Sequence, residues 1–452
     1  MSSTSPSTKP SYLPLAILLG IAILGLVMPA VPTTIVTEGI DTGDTAWMLV
    51  ATAFVLLMTP GLGYFYGGMV NSKNVISTMF QSFIAMGVIS VVWVVVGFSL
   101  AFGDSIGGFI GDPTTFFMFK GVLDGKPWSL APTIPLIVFA FFQLKFAVIT
   151  PALVTGSMAE RVNFKSYVLF MILFSILIYS PLAHWTWHPD GFLFKLGVLD
   201  FAGGTVVHMS AGWAALAAAI YLKRRRAHVE GSFLPPANIP YVLLGTGLLW
   251  FGWFGFNAGS AVGASPLAAL AFATTNTAAA SAGVAWILFD AARGKKVSAL
   301  GFAIGVVVGL VAITPGAGFV TIPHSIFIGV VASIISNYLA HIKTKTALDD
   351  TLDVFPCHGV GGMVGMVMTG IFATSSVNAA VADQGLFFGS SKLFINHMIA
   401  LVVVSAFAFG MSFVVLKITD LILPLRVSEE DEVLGLDVSQ HDESLVEAGL
   451  AK

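Results

Sequence analysis

The sequence predicts an all-α polytopic membrane protein: eleven transmembrane helices, arranged as two inverted five-helix repeats plus a final helix. Three observations carry that expectation. Residues are 56% hydrophobic and only 10% charged, with a mean hydropathy of +0.90, whereas soluble domains carry about 25% charged residues. Apolar stretches of ~20 residues, the length that crosses a bilayer core, recur along the chain. Lysines and arginines gather in alternate loops between them.

In chain order the apolar stretches fall near 12–29, 46–70, 76–103, 132–158, 166–186, 203–222, 239–261, 266–291, 298–319, 322–340, 356–374 and 394–424. The first follows a Ser/Thr/Pro-rich start with a single Lys9, and residues 1–30 read either as a signal peptide or as an extra transmembrane helix. Its apolar run is longer than the usual ~7–15-residue signal core, and its small-x-small cleavage pattern is poor. The other eleven form a membrane domain over 44–425. Lys73, Arg161, Lys165, Lys223–Arg226, Arg293, Lys295, Lys296, Lys343 and Lys345 share one set of loops, which the positive-inside rule assigns to the cytoplasm. The core therefore starts outside and ends inside. The polar, acidic tail 426–452 would be solvated and largely disordered alone, and it is long enough to dock on the cytoplasmic face.

A net charge of −3 does not point to a nucleic-acid partner. One cysteine, Cys357, excludes an intrachain disulfide and a thiolate-rich metal site. No nucleophile–base pair, phosphate loop or metal cluster is visible, so neither enzyme chemistry nor a cofactor is expected. The 47 glycines fit close helix–helix packing.

Ionisable residues inside spans mark candidate sites, because burying their charge costs at least ~2.5–3.5 kcal/mol. His208 lies in the fifth of the eleven spans and His358 in the tenth, so each closes its own five-helix repeat. Inverted repeats place a shared site near the midplane. Burial disfavours an imidazolium, and two neutral rings can share one hydrogen bond. A haem pair is the alternative, but the remaining histidines lie near span ends and offer no stacked partners. Asp200 stands where a helix begins and can cap it. Asp349, Asp350 and Asp353 open the tenth span and complement its dipole. All four aspartates read as structural and electrostatic support.

The segments "GYFYGGMV" (63–70), "DFAGGTVVH" (200–208), "GWFGFNAGS" (252–260) and "DDTLDVFPCHGVGG" (349–362) resemble the signature segments of the ammonium transporter family (Amt/Rh), Amt branch, in order along nearly the whole chain. The resemblance carries family residues across. "FQLKF" supplies Phe142, Gln143 and Phe146, "HWTWHPDG" supplies Trp187, and "FGFNAGS" supplies Phe256 and Ser260. It implies an outer ammonium site of Phe146, Trp187 and Ser260, and a gate of Phe142 or Phe146 stacked with Phe256. Below the gate it implies a narrow pore lined by His208 and His358, one in each subunit of a homotrimer in the plasma membrane. No metal site is implied.

Physical chemistry is consistent with that implication. Aromatic faces attract a small cation within ~6 Å, and ammonium can donate a hydrogen bond to Ser260 where potassium cannot. Two departures stand out: Lys145 places a cation beside the gate, and the tail reads "HDE" where "HGE" is commoner. The second weakens an inference of docking by a PII-type regulatory protein. The alternatives are a Rhesus-type channel for neutral ammonia or carbon dioxide, and an ammonium sensor.

Overall fold

The protein is described by a computed structural model covering residues 12–28, 30–31, 34–232 and 234–445. Its helices are α1 Leu13–Val27, α2 Thr42–Met69, α3 Ser72–Phe102, α4 Leu136–Met158, α5 Phe164–Lys195, α6 Gly204–Leu222, α7 Ile239–Ala261, α8 Pro266–Ala292, α9 Ala299–Ile313, α10 Ile322–Lys343, α11 Phe355–Phe372 and α12 Lys392–Ile422. Two short tail helices follow, α13 Glu429–Leu434 and α14 Leu436–His441. Among the described residues ten helices are long and apolar enough to cross a membrane, and α1 and α9 are shorter.

Caps fix most of the starts. The side chains of Asp41, Asn238, Ser265, Ser298 and Thr321 accept the amides of Asp44, Tyr241, Ala268, Gly301 and His324. Pro240, Pro266 and Pro323 occupy first turns, where a missing N–H costs nothing.

The helix α9 ends at Ile313 rather than near 319. Pro315, Gly316 and Gly318 stop it, yet residues 314–320 stay buried, so hydropathy alone could not see the break. The folded-in segment works: the Pro315 carbonyl accepts the Phe201 amide at 3.0 Å. No residue of α1 is buried.

Helices α2–α6 and α7–α11 make the two repeats, and α6 and α11 meet between them. Both begin with a wide π-helical turn, Gly204–Met209 and Phe355–Val360, a feature often found at functional sites. Their backbones touch just beyond the histidines, where a Cβ on Gly212 would lie 2.1 Å from Gly359.

The tail, expected to be largely disordered by itself, is docked over residues 426–441. Residue 162 bridges to 426 in antiparallel fashion. Asp437 accepts the Ser77 amide at 2.8 Å, Asn74 accepts the Leu436 amide at 2.8 Å, and Lys73 Nζ donates to the Val433 carbonyl at 2.6 Å. The His441 ring packs edge-on against Phe80 and Phe164.

Candidate functional site

A cavity of about 130 Å³ opens where α4, α5 and α7 converge, lined among others by Trp128, Phe142, Gln143, Phe146, Trp187 and Ser260. Phe142 and Phe146 lie one turn apart on α4, so both rings reach the same side. The Phe146 ring meets Trp187 edge to face at 5.9 Å and 84°. Trp187 is held by its indole N–H, which donates to the Asp200 carbonyl at 2.9 Å. Ser260 Oγ donates to the Phe256 carbonyl at 2.8 Å, which leaves the oxygen's lone pairs free to accept. The cup therefore offers aromatic faces and an acceptor to a small cation.

Of the two gate pairings the sequence left open, the stacked one is Phe146 with Phe256, at 4.1 Å and 28°. Phe142 instead packs against Phe146 at 4.9 Å and 65°. Lys145 does not line the cup. Its ammonium lies 5.6 Å from the centre of the Phe141 ring, and Phe141 is on the exposed side of α4.

Beneath the stacked rings is an enclosed space of about 10 Å³ lined by apolar side chains and by His208, Trp253 and His358. That is about one water-sized probe. The two histidines face each other through Nδ1 atoms 3.3 Å apart, with rings 5.4 Å apart and 26° from parallel. His208 Nε2 is buried with no hydrogen-bond partner among the described residues. Trp253, which the sequence did not single out, stacks on the His208 ring at 5.4 Å and anchors its N–H on Thr314 Oγ1 at 2.9 Å. Its only signal was its place inside "GWFGFNAGS".

The four aspartates separate. Asp200 caps the wide turn that carries His208: Oδ1 accepts the amides of Gly203 and Gly204 at 2.8 and 2.7 Å, and Oδ2 accepts the Thr205 amide and hydroxyl at 2.7 and 2.5 Å. Gly203 makes this wrap sterically accessible, with φ +117°.

Asp349, Asp350 and Asp353 lie at the tail end. Asp350 Oδ2 caps the second wide turn through the Phe355 amide at 2.8 Å, and its backbone carbonyl takes the Lys343 ammonium. Burial pushes the Asp350 carboxyl up. Asp353, at φ +57°, pairs with Lys343 at 2.7 Å. Asp349 pairs with Arg225 at 2.8 Å and approaches Arg161 at 3.9 Å, while Arg225 also binds Glu160 at 2.6 Å. Burial pushes the Asp349 carboxyl up, but hydrogen bonds and charge from Arg225 and Arg161 outweigh it and hold it at about 2. Arg161 and Arg225, which the sequence offered only as orienting charges, thus form the centre of a buried ion-pair web.

Comparison with known proteins finds similarity along most of the chain. The model described as "Ammonium Transporter Family" matches residues 46–446. The chain is 46% identical over 404 residues to an ammonium transporter of Bacillus subtilis, covering 89% of this chain and 98% of that one. It is 45% identical to an ammonium transporter of Aquifex aeolicus, covering 89% and 93%. The crystal structure of Saccharomyces cerevisiae Mep2 superposes with a TM-score of 0.82 at 35% identity, covering 87% of this chain and 89% of that one. A structure described as a sensor Amt protein superposes with a TM-score of 0.80 at 33% identity, covering 88% and 98%.

Proposed function

The chain belongs to the ammonium transporter family, and from that premise we propose that it recruits ammonium in the aromatic cup, deprotonates it, and conducts ammonia past the histidine pair with relay of the proton. One observation carries the reading: the stacked Phe146 and Phe256 separate a 130 Å³ aromatic cup from a space of about 10 Å³ at His208 and His358.

Energetics favour splitting the solute there. With an acidity near that of a lysine ammonium, deprotonation at pH 7 costs roughly 4–5 kcal/mol. Taking the intact cation into an apolar passage costs several kcal/mol, and ~20 in the idealised limit. In this mechanism the cup holds the cation by Phe146, Trp187 and Ser260. The Phe146–Phe256 stack must part for the solute to descend. His208 Nε2, which has no partner among the described residues, accepts a hydrogen bond from the arriving solute, and the shared Nδ1 contact lets a proton pass between rings. Asp200 holds the turn that presents His208 and biases the local potential toward cations.

The protein works, in this reading, as a homotrimer in the plasma membrane with one pore per subunit. The cup faces outward, and the ion-pair web and docked tail face the cytoplasm, where a PII-type protein has a surface to meet. Trp187 and Ser260 in the cup favour a cation site over a Rhesus-type neutral-gas channel.

Ammonium- and methylammonium-evoked currents in proteoliposomes test the proposal. Saturable current is expected from the unsubstituted protein. Electroneutral flux supports the channel instead, and binding without flux supports a sensor. His208→Ala and His358→Ala, made separately, are expected to change current and selectivity. Unchanged behaviour in both removes the histidines from the mechanism.

A further inference from the structure

Lys145 has no part in the reading above. Ile137, Phe141 and Lys145 are the residues of α4 that are not buried, and their four-residue spacing makes one open stripe. Lys145 stands nine residues past Leu136, about 14 Å from the cup end of the helix, near the middle of a ~30 Å bilayer core. Its ammonium lies over the exposed Phe141 ring and makes no hydrogen bond or ion pair among the described residues. A cation left against hydrocarbon at that depth is costly. Asn276 on α8 is in the same position. It stands ten residues past Pro266, about 15 Å from the same end. It is exposed, and its side chain makes no hydrogen bond among the described residues.

These two polar groups flank one face. α2 packs against α4 on one side and α7 on the other, and α7 packs against α8, so the order across the surface is α4, α2, α7, α8. Between the flanks the face is apolar, with Leu49, Leu56, Leu243 and Phe251 exposed. The last membrane helix, α12, packs elsewhere, against α6 and α11. Copies related by rotation about the membrane normal keep every residue at its own depth and set one flank of a copy against the opposite flank of the next. α4 and α8 both start at the cup end, so their side chains tilt the same way. Lys145 and Asn276 are therefore at matching height on complementary edges.

We propose that this face joins copies of the chain head to tail, and that the Lys145 ammonium of one copy donates a hydrogen bond to the side-chain carbonyl of Asn276 of the partner subunit. The inference rests on the homotrimer of the reading above. Each joint then removes one unpaired cation and one unpaired amide from hydrocarbon, and polar side chains bonded across helices are a recurrent glue in membranes. Lipid is the poorer occupant: its tails offer neither group a partner, and the short Asn276 side chain cannot reach a headgroup from mid-core.

The test begins with cross-linking of the full-length protein in membranes. Lys145→Cys and Asn276→Cys are combined with Cys357→Ala, which removes the chain's own thiol, and a short bifunctional thiol reagent is added. A covalent ladder ending at the trimer is expected from the combined variant, and monomer alone from either single-cysteine variant. The hydrogen bond itself is read from the temperature at which the solubilised trimer dissociates. Lys145→Met and Asn276→Leu are each expected to lower it by several degrees, and together to cost no more than the larger single loss, because both remove one contact. Lys145→Arg keeps a donor and is expected to hold the parent value, which separates a lost contact from misfolding. No ladder from the combined variant overturns the inference and leaves Lys145 reaching for headgroups. Linking through Lys145→Cys alone, unchanged dissociation in both single substitutions, or additive losses overturn it as well. A monomeric parent is a different result, which overturns the homotrimer reading and this inference with it.

Discussion

His208 stands on a turn whose acceptors come from its own segment, with Asp200 gathering three amides and a hydroxyl within five residues. His358 stands on a turn whose capping carboxylate, Asp350, takes the Phe355 amide. The surrounding chain there is moored by Arg161, Arg225, Lys343 and Glu160 from elsewhere in the fold. Both turns are π-helical and both deliver a ring to the same contact. The repeats thus share a shape while one is held locally and the other by long-range ion pairs. Local capping needs glycine freedom at one spot, whereas the web needs three separate segments already folded together.

The largest way to break that contrast is Asp200→Ala. It strips three buried amides and a hydroxyl of their acceptor, each loss worth ~1–3 kcal/mol, so destabilisation of ~4 kcal/mol or more is expected in thermal unfolding. The matching Asp350→Ala should cost clearly less. Equal losses would mean that the first turn is no more self-sufficient than the second.

Arg225→Ala comes next. It leaves Glu160 and Asp349 buried without their guanidinium, and breaking a buried pair in this way costs ~3–5 kcal/mol. Protease sensitivity should appear first around residues 344–354 and spare the turn at Gly203. Cleavage near Gly203 at the same rate would join the two regions into one unit.

The web should also answer to acid. Asp349 is held at about 2, below the ordinary carboxylate value of ~3.9, so its contribution of roughly 2–3 kcal/mol is complete above pH 4 and fades as pH falls through 2. Melting of Asp349→Asn and parent should differ most between pH 5 and 7 and converge toward pH 2. A constant gap down to pH 2 would detach Asp349 from the ion pairs.

The smallest expected effect sharpens the local side. Gly203→Ala places a Cβ 2.7 Å from Val207 Cγ2 on a residue with φ +117°. A loss of ~1–3 kcal/mol is expected, visible as reduced thermal stability with the tail contacts intact.

Much of this was legible in residues and some was not. Spans could be read because crossing a bilayer demands only length and apolarity, and the observed bounds lie within a few residues of the reading except at α5, which runs on to Lys195 rather than ending near 186, and at α9. There the buried segment 314–320 kept its hydropathy while Pro315 broke its helix. Motifs brought Phe142, Phe146, Trp187, Phe256 and Ser260 together, but they left the stacked ring open, since residues one turn apart share a face. Trp128 sits in a loop outside every motif, and its place at the cavity depends on rings from three helices. The charges of Arg161 and Arg225 were visible, but only the fold shows that they face inward onto carboxylates.

The space of about 10 Å³ beside the histidines bears on the cell's electrical economy. If solute passes there, as proposed, a space with room for one small molecule and mostly apolar walls offers a hydrated sodium or potassium ion nothing to replace its shell. On the proposed reading, many copies in a membrane would move charge with ammonium and leave its sodium and potassium gradients intact.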